Sequence, residues 1–217
     1  MGLSEPIDNF LNRASVAINN ALTTPKIQDY LNQYGYTLEK IQQGKTLYES
    51  ALNLQQQQRK EYGEQISATE SFNELWTKAK ESYMRCLKIA RIAFKKDAGI
   101  TTQLALNGSR KDTFSGWLLQ TKQFYTNTLN NPDILNGFKE YGINKAKLQA
   151  YQAETEAVEA ASLVQEKEKG DAQNATQIRD KAIDELNEWL SDFIAIARIA
   201  LETEAQLLES LGILERS

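Results

Sequence analysis

The sequence predicts an all-α, internally duplicated and elongated helical bundle. Three observations carry that prediction. First, residues 25–106 return as residues 132–213, shifted by 107 positions without a gap, and 24 of the 110 paired positions across the overlap are identical. One uninterrupted register is the mark of a duplicated structural unit. Second, the chain has only 3 prolines in 217 residues and is rich in Gln, Glu, Ala, Leu and Lys, the residues that cost least in a helix. Third, no stretch alternates apolar and polar residues as a half-buried strand would.

The repeated positions include the punctuation of helices. Thr24-Pro25 and Asn131-Pro132 each set a capping residue before a proline at the first helical position. Tyr34-Gly35 falls on Tyr141-Gly142, and Gly63 falls on Gly170. Ser67 with Glu70 has capping-box spacing, and Asn174 with Gln177 is its variant. Gly63 and Gly170 just upstream suit the left-handed residue that closes a helix. Each unit therefore reads as a short helix A and two long helices, B and C. They span 5–22, 25–62 and 68–105 in unit 1–107, and 113–129, 132–169 and 175–211 in unit 108–217. Short B-to-C turns make each pair an antiparallel hairpin. Two architectures fit: the two hairpins dock as one four-helix bundle with the A helices across it, or each unit is its own three-helix bundle strung end to end. The second is disfavoured because a short A helix cannot cover two long partners. Asn107-Gly108-Ser109-Arg110 reads as a flexible junction at the repeat boundary.

Composition removes several classes of function. The chain has no histidine, which takes away the commonest general base and metal ligand. It also excludes the Glu-x-x-His pairs of di-iron bundles. The single cysteine, Cys86, sits among Met84, Leu87 and Ile89 and reads as a buried, inert thiol. Gly35, Gly44 and Gly63 are isolated and form no phosphate-cradling loop. No enzymatic activity and no cofactor are expected. No apolar run approaches the roughly 20 residues of a membrane span, and the start, Met1 to Pro6, lacks the pattern of a signal peptide. The expectation is a cytoplasmic protein. A pI near 5.1 argues against nucleic acid as partner.

Three constellations are candidates for function. Arg91 and Arg198 lie at the same place in the shared segment Ile-Ala-Arg-Ile-Ala. They could grip an anion as a pair, with Tyr34 and Tyr141 at the same level, or simply snorkel from a packed stem. Asp180, Asp184, Glu188 and Asp192 recur every fourth residue and form one stripe. A second helix supplying oxygen ligands would make the stripe a weak cation site, and otherwise it is a solvated face.

The third constellation is the contrast between copies. Lys78, Arg85 and Lys95 in the first become Glu185, Asp192 and Glu202 in the second. Residues 78–96 carry seven positive charges and one negative, whereas 185–203 carry four negative and one positive. A face of one sign steers association and fixes register. The best-supported expectation is a non-catalytic interaction or scaffold protein that meets a protein partner or itself. An anion-binding bundle using Arg91 and Arg198 comes second, and a carboxylate-bound metal protein third.

Overall fold

The computed structural model describes residues 5–213; the amino-terminal reading of residues 1–4 lies outside them. The described residues form eight α-helices and no strand. These are α1 (Ile7–Thr23), α2 (Pro25–Asn32), α3 (Leu38–Ala93), α4 (Ala98–Gln103), α5 (Phe114–Leu129), α6 (Pro132–Glu140), α7 (Lys145–Ala200) and α8 (Ala205–Ser210). Helices α5 to α8 begin 107 positions after α1 to α4, respectively, in every case.

Local chemistry accounts for the short elements. In α1, Phe10, Leu11, Ala14, Ala17, Ile18 and Ala21 form one buried stripe at helical spacing. Thr24 then turns extended ahead of Pro25, which opens α2. The Thr24 side chain makes no capping bond, whereas Asn131 Oδ1 accepts from the Asp133 and Ile134 amides at the head of α6. Helices α2, α4, α6 and α8 all end the same way. The amides of Tyr36, Leu106, Ile143 and Ile213 reach back to the carbonyls of Leu31, Thr101, Phe138 and Leu208. Each motif needs a left-handed residue, supplied by Gly35, Gly142, Gly212 and, against the usual steric preference, Ala105 at φ 48°.

The chain forms two compact units. Unit 1 holds residues 1–62 and 170–217, and unit 2 holds 63–169. In unit 1, Phe10 and Ile18 of α1, Ile27 and Leu31 of α2, and Ile41 of α3 pack with Leu186, Leu190 and Phe193 of α7. The core of unit 2 joins Leu87 of α3 and Phe94 just past its end to Phe124 of α5, Phe138 of α6, and Leu148 and Val158 of α7. The hairpins expected within each sequence repeat do not form. Helices B and C of each repeat are one 56-residue helix apart from the first turns of B and the last of C, which separate as α2 and α4, or α6 and α8. The first half of α3 packs with the second half of α7, and the second half of α3 with the first half of α7.

Two physical reasons overturn the hairpins. The segment around Gly63 stays helical: Ser67 Oγ donates to the Gly63 carbonyl instead of capping a new helix. One glycine costs a helix about 1 kcal/mol, and its Lys, Glu, Gln and Ala neighbours outweigh that. Side-chain volume then selects the partner. Gly44 of α3 lies against the Trp189 ring of α7, where any Cβ would overlap the indole. In the 107-residue register Gly44 corresponds to Tyr151 and Trp189 to Ser82. A hairpin within each repeat would set Gly44 opposite Ser82, leaving a void, and Tyr151 opposite Trp189, overfilling the space. Gly137 against Phe94 repeats the overfilling half of this logic, since a hairpin within the first repeat would set Tyr30, the counterpart of Gly137, opposite Phe94.

Two glycine substitutions test this arrangement by thermal or denaturant unfolding. A Cβ at Gly63 meets open space, so Gly63→Ala should stabilise the protein by about 0.5–1 kcal/mol; a hairpin turn there would instead lose stability. Gly44→Ala should destabilise by about 1–2 kcal/mol, because overpacking against Trp189 exceeds the gain in propensity.

Candidate functional site

The charge-inverted residues are all exposed, and burial on their helices explains why. In unit 2, Ala79, Tyr83, Cys86, Leu87 and Ala90 form the buried stripe of α3, continued by Phe94 just past its end. Lys78, Arg85 and Lys95 lie off that stripe, in solvent. In unit 1, Ile183, Leu186, Leu190, Phe193 and Ala197 are the buried stripe of α7, which leaves Glu185, Asp192 and Glu202 outside. Unit 2 therefore carries the basic face and unit 1 the acidic one. Lys78 Nζ pairs with Glu154 Oε1 at 3.2 Å, and Lys181 lies 3.8 Å from Glu185 on the same helix. Among the described residues, Arg85, Lys95, Asp192 and Glu202 form no ion pair. Asp192 also lies close enough to Tyr36 to reinforce the upward shift of that phenol, which burial chiefly causes.

The acidic stripe of Asp180, Asp184, Glu188 and Asp192 is solvated along its length. Asp180 accepts from Arg179 at 2.5 Å. Among the described residues these carboxylates do not converge with a third ligand on one point.

The anion-gripping set is divided between the units. Arg91 and Tyr141 belong to unit 2, Arg198 and Tyr34 to unit 1. Arg91 Nε already donates to the Leu106 carbonyl at 2.8 Å, holding the turn after α4. Tyr34 and Tyr141 are about half exposed, at 48% and 46%. The glycines beside them end helices instead of permitting close helix approach: Gly35 and Gly142 have φ of 78° and 75°, with nothing near an added Cβ. The apolar run around Arg198 is not wholly enclosed either, since Ile199 is 54% exposed and Ile92 is 56% exposed.

Other residues organise the units without a clear sequence signal. Arg110 Nη1 donates to the Tyr83 hydroxyl at 3.0 Å, and Nη2 donates to the carbonyls of Ala105, Asn107 and Gly108. The junction that reads as flexible is thereby pinned to α3. Only the position of Arg110 beside a glycine-containing loop, full of carbonyls, hinted at this. Glu204 accepts from both Lys26 Nζ and the Tyr30 hydroxyl, at 2.9 and 3.0 Å. Those hydrogen bonds hold the Glu204 carboxyl below its ordinary range. Phe72, Trp76, Phe114 and Trp117 make an edge-to-face aromatic cluster in unit 2, with Lys80 Nζ 4.3 Å from the Trp76 ring.

Two clefts lie within single units. One, of about 180 Å³, is lined by Leu54, Gln57, Glu61, Asp171, Asn174 and Ile178 of unit 1. The other, about 120 Å³, is lined by Lys122, Tyr125, Thr126, Gln152, Thr155 and Glu156 of unit 2. Neither is lined by Arg91 or Arg198.

Cys86 is fully buried, and burial pushes its thiol up to about 11. It lies beside the Tyr125 hydroxyl, which is itself buried with no hydrogen-bond partner of normal geometry. A thiol that keeps its proton in an apolar core is a poor nucleophile.

No protein-family model, curated protein or solved structure matches this chain.

Cys86 should label slowly with thiol reagents in the native protein, and Cys86→Ala should cost about 1 kcal/mol of stability. The unfolded thiol ionises near pH 9 while the native one keeps its proton to about 11. Proton binding by the native state alone means that stability falls as pH rises across that window. Chemical denaturation from pH 8 to 11 should show a steeper fall for the wild type than for Cys86→Ala. Equal slopes, or fast native labelling, would contradict the buried thiol.

Proposed function

We propose that the chain is a non-catalytic interaction protein, made by duplication of one A-B-C unit whose two copies then acquired opposite surface charge. The duplication reading rests on the constant 107-residue offset between α1–α4 and α5–α8, together with the shared sequence register. In this reading each compact unit takes helices A and B from one copy and helix C from the other, which is the arrangement the size-matched Gly44–Trp189 contact favours.

The single observation that carries the function is the sorting of exposed charge by unit. Lys78, Arg85 and Lys95 stand on unit 2, and Glu185, Asp192 and Glu202 on unit 1, at matched positions of two otherwise similar helices. An isolated surface pair contributes less than about 1 kcal/mol, so charges this dispersed add little to folding. As faces of single sign they raise encounter rates and select oppositely charged partners. The anion-binding reading is weaker, because Arg91 is already engaged by a backbone carbonyl.

Chemical cross-linking of the full chain in an extract of its host cells provides the test. Wild type should capture a discrete set of proteins, itself included. The triple variant Lys78→Glu, Arg85→Glu, Lys95→Glu should lose those that bind the basic face, with its unfolding temperature little changed. Identical capture by both would show that the charge inversion lies on idle solvated faces, and the interaction reading would fall.

A further inference from the structure

The ends of the two units suggest which partner the faces meet. We propose that the end of unit 2 in one molecule docks on the end of unit 1 in a second copy of the same chain, a head-to-tail contact. This rests on the interaction reading above and names its partner.

Each end exposes apolar surface at matched positions. In unit 2, Phe94 packs against Gly137 and the Phe138 ring, so the last turns of α3 and the end of α6 lie together. Ile92 and Tyr141 are the exposed residues there, at 56% and 46%. In unit 1, the Tyr30–Glu204 hydrogen bond and the edge-to-face pair of Tyr36 with Phe193 bring the end of α2 to the last turns of α7. Its exposed residues are Ile199, Tyr34 and Leu38. An isoleucine and a tyrosine are thus half in water at both ends, and both lie in segments that are identical between the copies: Ile-Ala-Arg-Ile-Ala and Tyr-Gly. Packing inside the units does not require them, since their side chains lie largely outside.

Charge determines which ends can meet. Around Ile92 stand Lys88, Lys95 and Lys96, all exposed. The corresponding positions around Ile199 are Ala195, Glu202 and Thr203, with Asp192 one turn further back. Arg91 and Arg198 are common to both ends. Two unit 2 ends would bring lysines together, whereas a unit 2 end meeting a unit 1 end sets lysines against carboxylates around an apolar centre. Repulsion between like faces is as selective as attraction between unlike ones. Such a contact uses two different surfaces of the molecule, so it is heterologous, and it grows into chains of molecules unless its geometry closes a ring. It is also salt-sensitive, because exposed charges are screened within about 8–10 Å at physiological ionic strength.

Sedimentation velocity of the full chain tests the proposal, across a concentration series at low and at high salt. Wild type should sediment faster as concentration rises at low salt, and this should weaken several-fold at high salt. One variant removes the unit 2 end (Ile92→Ser with Lys95→Ser), and a second removes the unit 1 end (Ile199→Ser with Glu202→Ser). All four sites are exposed, so both variants should keep wild-type helicity and unfolding temperature. Each variant alone should stay monomeric, since every possible contact then has one dead end. An equimolar mixture should form a 1:1 dimer and grow no further, because the live unit 1 end of the first variant meets the live unit 2 end of the second. The proposal is overturned if wild type is monomeric at every concentration, if either variant alone still associates, or if the mixture stays monomeric. A monomeric wild type that still captures charge-dependent partners in the cross-linking experiment would sink this inference alone. Loss of those partners' dependence on the basic face would sink the interaction reading itself.

Discussion

Helical continuity through Gly63 and Gly170 is the constraint on which the rest of the structure depends. Residues 64–93 continue the helix of residues 38–62 without a turn, so the second half of α3 cannot fold back to cover the first. The apolar stripe on each half must find another helix, and the available one is the opposite half of α7. An amphipathic helix of this kind owes most of its stability to the packing of that stripe and little to its own propensity. Exchange of halves follows from burial once the turn is lost.

Size complementarity then makes the exchange specific. Glycine on one helix receives an aromatic ring from another, through Gly44 with Trp189 in unit 1 and Gly137 with Phe94 in unit 2. In the 107-residue register a fold built within one repeat would set Gly44 against Ser82, Tyr151 against Trp189 and Tyr30 against Phe94, a void and two overfilled contacts. Cores at close-packed density tolerate neither a void nor an excess ring without loss of stability. The polar contacts are consistent with this pairing: Lys78 of α3 meets Glu154 of α7 in unit 2, and Arg179 of α7 reaches Gln55 of α3 in unit 1.

Interior and surface answer to different demands. The stripes of α3 and α7 are apolar in both units, while the exposed faces of the same helices differ in sign. Charge in solvent is nearly neutral to folding, which leaves it free to differ without cost to the core. Exposed Ile92, Ile199, Tyr34 and Tyr141 run the other way, identical between copies although little buried.

Much of the fold was legible in the residues. The helical class, the starts of α1, α2, α5 and α6, the buried Cys86 and the charged faces all follow from patterns within a few turns of helix, where spacing alone decides which side a residue occupies. The ends of α2 and α6 were not legible, because an isolated glycine inside a helical pattern does not by itself mark a left-handed stop. The pinning of the junction by Arg110 was hidden as well, since its partners Tyr83 and Ala105 are set by the folded backbone. Most consequential was the capping-box signal at Ser67, a local preference of about 1 kcal/mol. It competed with the apolar stripes on either side of it, Ile41 and Ala51 before and Phe72 to Ala90 after, which bury far more surface, and lost. The sequence by itself determined which residues would be helical and which faces apolar or charged, because those properties are local. Tertiary structure decided where helices continue, which halves pair and which arginines are already engaged, because these depend on volumes and donors that meet only after distant segments pack.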